Sequence, residues 1–65
     1  MRIFVNGDQH EITPRTLAQA LEQLGYGGRK IATALNGRFV AAARRPETTL
    51  AEGDRIEVVA PMQGG

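Results

Sequence analysis

Cysteine is missing from the chain, so disulfide staples, thiolate metal sites and a cysteine nucleophile are excluded together. Serine is missing as well, which removes the commonest hydroxyl nucleophile. His10 is the single histidine, so no His pair or His-based metal cluster can form. No apolar run approaches the roughly 20 residues that a membrane helix needs. An excess of charge of either sign is lacking too: 8 basic residues face 7 acidic ones, for a formal net charge of +1. That balance offers no electrostatic case for nucleic acid or an anionic membrane as the main partner. Met1 to Val5 run straight into a strand-like pattern, without a signal-peptide apolar region or a small-residue cleavage site. The expected compartment is the cytoplasm.

What remains is 65 residues, 42% hydrophobic and 23% charged, which suits one small globular domain. Met1, Ile3 and Val5 alternate with Arg2 and Phe4, the period-2 mark of a half-buried strand. Asn6-Gly7 accepts positive φ at both positions of a tight hairpin turn. Residues 9–12 then pair back as a second strand, closed by Pro14, which cannot donate to a ladder. Thr16 reads as a helix N-cap, with Gln19 completing a Thr-x-x-Gln capping box. Leu17, Ala20, Leu21 and Leu24 fall on one helical face, and Gly25 stands where a left-handed C-cap is wanted.

Residues 30–35 form a third expected strand, with Ala32 and Ala34 leaving its inner face ambiguous. Asn36-Gly37 signals a second hairpin into Arg38-Phe39-Val40. Residues 41–49 are weakly periodic and read as a loop with room for a short helical turn, Leu50 being its core plug. Gly53-Asp54 leads into residues 55–60, where Ile56, Val58 and Ala60 alternate with Arg55, Glu57 and Val59. The order is β-β-α-β-β-β. A helix between a hairpin and later strands must cross the sheet, which places the last strand beside and parallel to the first. The expected fold class is α+β, a β-grasp with a mixed sheet and one main helix across one face. Residues 1–60 form the domain, and residues 61–65 a flexible C-terminal tail.

The tail, Pro61-Met62-Gln63-Gly64-Gly65, carries the chemistry. Extended, it reaches at most about 15–18 Å. As a structural feature it is a frayed end. As a functional one it presents a terminal carboxylate to another protein's active site. Glycines without Cβ can thread a narrow channel, and the last carbonyl is open to attack. The carboxylate, with an ordinary pKa of about 3.3–3.7, is an anion and a poor electrophile, so it needs activation, most simply as an acyl-adenylate made from ATP. The chain has no phosphate-binding motif of its own. Gly25 to Lys30 lacks the G-x-x-x-x-G-K-[ST] spacing and follows a helix instead of opening one.

Three segments bear a family resemblance. They are Ala34-Leu35-Asn36-Gly37-Arg38-Phe39-Val40, Leu50-Ala51-Glu52-Gly53-Asp54-Arg55-Ile56-Glu57-Val58-Val59, and the tail from Ala60 to Gly65. With them, the chain resembles the ThiS family, the ubiquitin-like sulfur carriers of thiamine biosynthesis. The opening strand and the Gly-Gly end also look like ubiquitin. Ala41 to Arg45 departs from the Pro-Arg or similar segment of many members. The resemblance implies a non-enzymatic carrier, a protein cosubstrate with no bound cofactor and no catalytic residue. A ThiF-like adenylyltransferase would adenylate Gly65 with ATP, sulfur drawn from cysteine by a desulfurase would displace AMP, and the thiocarboxylate would donate sulfur at a ThiG-like thiazole synthase. Met62, Gln63, Gly64 and Gly65 would thread into the partner's active site. The alternatives are a carrier for molybdopterin or another metabolite, and a β-grasp module binding protein or RNA without carrier chemistry.

Other residues carry weaker signals. Phe4 points away from Ile3 and Val5, and Val59 shares its sheet face, so the two form a candidate partner-docking surface. Arg44 and Arg45 read as solvated surface. His10 receives no role. Lys30 is the only lysine, which speaks against a polymeric tag.

Below about 70–80 residues a core rarely supplies more than roughly 3–5 kcal/mol. Without a disulfide or metal, the leucine face of the helix should therefore be essential. Leu21→Ala is expected to cost about 2–5 kcal/mol. Chemical denaturation checks this, and an unchanged midpoint would refute the packing of helix on sheet.

Overall fold

Two Asn-Gly dipeptides set the geometry of the sheet. Asn6 and Asn36 adopt φ of 50° and 51°, and the glycines after them 87° and 85°. Positive φ at both central positions matches the right-handed twist of the flanking strands, so each dipeptide closes a tight hairpin. The first hairpin joins β1 (Arg2–Val5) to β2 (Asp8–Glu11), with Val5 opposite Asp8. The second joins β3 (Ala32–Leu35) to β4 (Arg38–Val40), with Leu35 opposite Arg38. The last strand, β5 (Arg55–Val59), inserts between them, parallel to β1 and antiparallel to β3. The sheet order is β2-β1-β5-β3-β4. This computed structural model describes residues 1–60. The expected β-grasp is present, with strand bounds differing by one or two residues: β2 starts at Asp8, β3 at Ala32, and β5 stops at Val59.

The helix α1 (Leu17–Gln23) forms where its caps and apolar spacing require. Thr16 is extended, and its hydroxyl accepts the Gln19 N–H at 3.3 Å, the first half of the capping box. At the other end Gly25 has φ of 92°. The Gly25 N–H donates to the Glu22 carbonyl at 3.1 Å and the Tyr26 N–H to the Leu21 carbonyl at 2.8 Å. These two bonds are a Schellman motif, which satisfies carbonyls the helix end would otherwise leave bare. Leu17, Ala20 and Leu21 are buried against Ile3, Val5, Ile12, Leu50, Ile56 and Val58. Leu50 fills its expected core position. The chain around it is tied to the helix entry by Leu17 N–H to the Thr48 carbonyl and Leu50 N–H to the Arg15 carbonyl, both at 2.8 Å.

Residues Ala42–Glu47 form a 3₁₀ helix where the sequence suggested a loop with a short turn. Pro46 lacks an amide hydrogen, and the i→i+3 pattern tolerates it within so short a run. This segment corrects the reading of Arg45 as solvated surface. Arg45 Nε donates to Thr33 Oγ1 at 3.0 Å, and Nη2 donates to the Ile31 carbonyl at 2.7 Å. Thr33 is buried on the inner face of β3, and its hydroxyl donates in turn to the Val40 carbonyl at 2.8 Å. The Arg45 fork thus staples the 3₁₀ helix to the start of β3. Arg44 does stay in solvent, with an exposed ion pair to Glu47 at 3.7 Å. The inner face of β3 is settled as Thr33 and Leu35, so Ala32 and Ala34 turn outward.

Removing the Arg45 fork takes a donor from the buried Thr33 hydroxyl, which keeps its bond to the Val40 carbonyl, and from the Ile31 carbonyl. Arg45→Ala should cost about 1–3 kcal/mol, whereas Arg44→Ala should stay within about 0.5 kcal/mol. Urea unfolding of the two variants side by side checks the contrast, and equal costs would contradict the staple.

Candidate functional site

The side of the sheet away from α1 is the molecule's open face. Alternation along each strand puts Phe4, Arg55, Glu57, Val59, Ala32, Ala34 and Phe39 on it. Ala32 and Ala34 are short, so they leave a low apolar floor between Val59 and Phe39. Val59 is 64% exposed and Phe39 73%, and they are the large hydrophobics left open among the described residues. Glu57 and Lys30 lie at the margins of this floor. An exposed apolar patch with a polar rim is the kind of surface that proteins use for docking.

The patch differs from the one expected from sequence. Phe4 and Val59 do share the open face and lie on neighbouring strands. However, Phe4 pairs in register with Arg55 on one side and Gln9 on the other, and it is half-buried. Val59 stands four residues further along β5, about 13 Å away along the strand direction. The neighbour of Val59 is Ala32, and the aromatic across the floor is Phe39. Sequence reasoning passed over Phe39. The signal was available: a two-residue turn at Asn36-Gly37 makes Leu35 face Arg38, and therefore Ala34 face Phe39 on the outer side.

The position of the patch gives it functional weight. Val59 is the last residue of β5, and Ala60 follows it directly into residues 61–65. Met62, Gln63, Gly64 and Gly65, the residues expected to thread and to react, lie outside the described residues. A protein that grips the Phe39–Val59 floor is thereby next to Val59 and Ala60, to which these residues are joined in sequence.

The remaining candidates go elsewhere. In the loop after α1, Arg29 sits over the Tyr26 ring, 5.8 Å from its centroid, as a cation–π pair. His10 lies on β2 opposite Ile3, away from the patch. Among the described residues no three His, Cys, Asp or Glu side chains come together as a metal site. No helix among them is long and apolar enough to cross a membrane.

Comparison with known proteins is consistent with this architecture. The ThiS family model matches residues 3–65. A protein named sulfur carrier protein ThiS from Thermus thermophilus is 35% identical over 63 residues, covering 97% of this chain and 98% of that protein. The crystal structure of a thiamine biosynthesis protein (ThiS) from Geobacter metallireducens superposes with a TM-score of 0.83 at 25% identity, covering all of both chains. A solution structure of a thiamine biosynthesis protein from the same organism gives 0.78 at 25% identity, covering all of this chain and 88% of that one. A family match that runs from the first strand through the closing glycines, with a fold that superposes over the whole chain, means that the chain belongs to the ThiS family.

Proposed function

We propose that this protein is the sulfur carrier of a thiamine biosynthesis route and that sulfur travels on the carboxyl group of Gly65. One observation carries the reading: the family match extends through Gly64-Gly65, on a chain that has no cysteine. Without a side-chain thiol, transferable sulfur has one chemically suitable place, the terminal carboxyl. The relatives' names favour thiamine over molybdopterin as the pathway.

The chemistry follows from the state of that group. At neutral pH the carboxylate is an anion and resists nucleophilic attack. A partner adenylyltransferase of the ThiF type joins it to the α-phosphorus of ATP, releasing pyrophosphate and leaving an acyl-adenylate. A desulfurase lifts sulfur from cysteine as a persulfide, and a thiol reductant releases it as hydrosulfide while being oxidised to a disulfide. The hydrosulfide attacks the carbonyl carbon, forming the C–S bond and expelling AMP. The product is a thiocarboxylate, whose sulfur passes to the thiazole ring at a ThiG-type synthase. ATP belongs to the partner, and the carrier is a cosubstrate, not a catalyst. Its β-grasp body supplies recognition: the Phe39–Val59 floor docks on the partner while residues 61–65 reach the active site.

The test is intact-protein mass spectrometry after incubation with ATP, a ThiF-type adenylyltransferase and a sulfide source. One oxygen of the chain should be replaced by sulfur at Gly65, and one extra residue after Gly65 should abolish the exchange. Wild-type chain left unmodified by an adenylyltransferase active on its own carrier would sink the reading. For docking, Phe39→Glu should raise the Kd for the adenylyltransferase by about tenfold or more. The half-buried Phe4 should matter less. Titration calorimetry alongside an unchanged unfolding midpoint checks both.

A further inference from the structure

Strand β5 is longer than the neighbour it pairs with on the β1 side. The ladder between them runs through Phe4 N–H to the Asp54 carbonyl and Asn6 N–H to the Ile56 carbonyl, both at 2.9 Å. Groups facing β1 recur at every second residue of β5, so the next pair belongs to Val58. No residue of β1 remains to meet it, because the chain turns at Asn6-Gly7 into β2. Val58 is buried, and an unpaired N–H and carbonyl there would be costly.

The Asn6 side chain takes the vacant place. Its Oδ1 accepts the Val58 N–H at 2.8 Å, and its Nδ2 donates to the Val58 carbonyl at 3.1 Å. A carboxamide carries the same donor and acceptor as a peptide group. Asn6 therefore acts as one further residue of β1, built from a side chain. Aspartate at neutral pH lacks the donor, and alanine or glycine lacks both groups. Asn36 does a parallel job at the other end of the strand, where its Oδ1 accepts the Arg55 N–H at 2.9 Å and its Nδ2 donates to Asp54 Oδ1 at 3.0 Å. The two turn asparagines hold the two ends of β5, Asn36 its entry and Asn6 its exit.

We infer that Asn6 is a positioning residue for the C-terminal carboxyl group: by pinning Val58 it fixes the base from which residues 59–65 present themselves to a partner. This rests on the carrier reading. Val59 of the docking floor and the reactive end both follow within seven residues of the pinned position. With the Asn6 contacts gone, the nearest β1-side anchor falls back to Ile56. Beyond Ile56 the strand is then held from the β3 side alone, through the pairing of Val58 with Thr33 and Val59 with Ala32, which weakens the hold on the docking floor and on the residues that follow it.

The test compares wild type, Asn6→Gly and Asn36→Gly, since glycine accepts the positive φ at both turns. Hydrogen exchange on the isolated chain comes first: the Val58 amide should exchange about tenfold or more faster in Asn6→Gly and at the wild-type rate in Asn36→Gly. Steady-state adenylation by a ThiF-type enzyme comes second. Asn6→Gly should raise the KM for the carrier about threefold or more with kcat retained, because the carrier, once bound at saturating concentration, is aligned by the enzyme. Asn36→Gly should keep the wild-type KM. An unchanged KM in Asn6→Gly, a loss confined to kcat, or an equal rise in both variants would overturn the positioning role. Absence of adenylation in wild type would instead defeat the carrier reading, and the exchange experiment would still report on the clamp.

Discussion

Strand β5 lies between the two hairpins, and the sheet is continuous only through it. The last stretch of described chain pairs with the first, Val5 beside Ile56, and with the third strand, Leu35 beside Ile56. Its inward residues, Ile56 and Val58, meet Ile3 and Val5 beneath Leu17 and Leu21. Closing so long a loop is entropically costly, and the burial of these side chains has to offset that cost. One result is mechanical. The strand that leads toward the closing residues is the middle strand of the sheet, not an edge, so it is held from both sides.

The domain has neither a disulfide nor a cluster of metal ligands among its described residues, and polar side chains do much of the fastening. Thr33 is buried and bonded on both sides, to the Val40 carbonyl and to Arg45. Asn6 and Asn36 supply peptide-like groups where the strands are of unequal length. Among the described residues no buried side-chain nitrogen or oxygen is left without a partner. In so small a core, one unpaired polar group would remove a large share of the net stability. These ties therefore matter out of proportion to their number.

The open face shows the opposite economy. Outward alanines on β3 give little cover, and Val59 and Phe39 remain in solvent at either side of them. Leaving two large apolar side chains exposed gains nothing for the isolated chain. It is intelligible if a partner covers them while it handles the terminus, since one contact surface then both recognises the carrier and places the carboxyl group. Phe4 lies on the same face but is shielded by its flanking strands, which separates it from this role.

Much of this was determined by local sequence. The Asn-Gly pairs, the Thr16 cap, the leucine spacing and the alternation in residues 55–59 act over a few residues each, and they sufficed for the element order and the β-grasp topology. The absence of cysteine and the closing glycines raised the terminal carboxyl group as an expectation, on residues outside the described ones. Tertiary structure decided what depends on partners distant along the chain. Arg45 looked like surface until the 3₁₀ helix brought it to Thr33 and Ile31. Val59 shares its floor with Phe39, not Phe4, because register places Val59 beside Ala32 and Phe39 beside Ala34. The bonds from Asn6 to Val58 join residues that no periodicity connects. Local preferences name the elements, but only the register in which they pair determines which side chains meet.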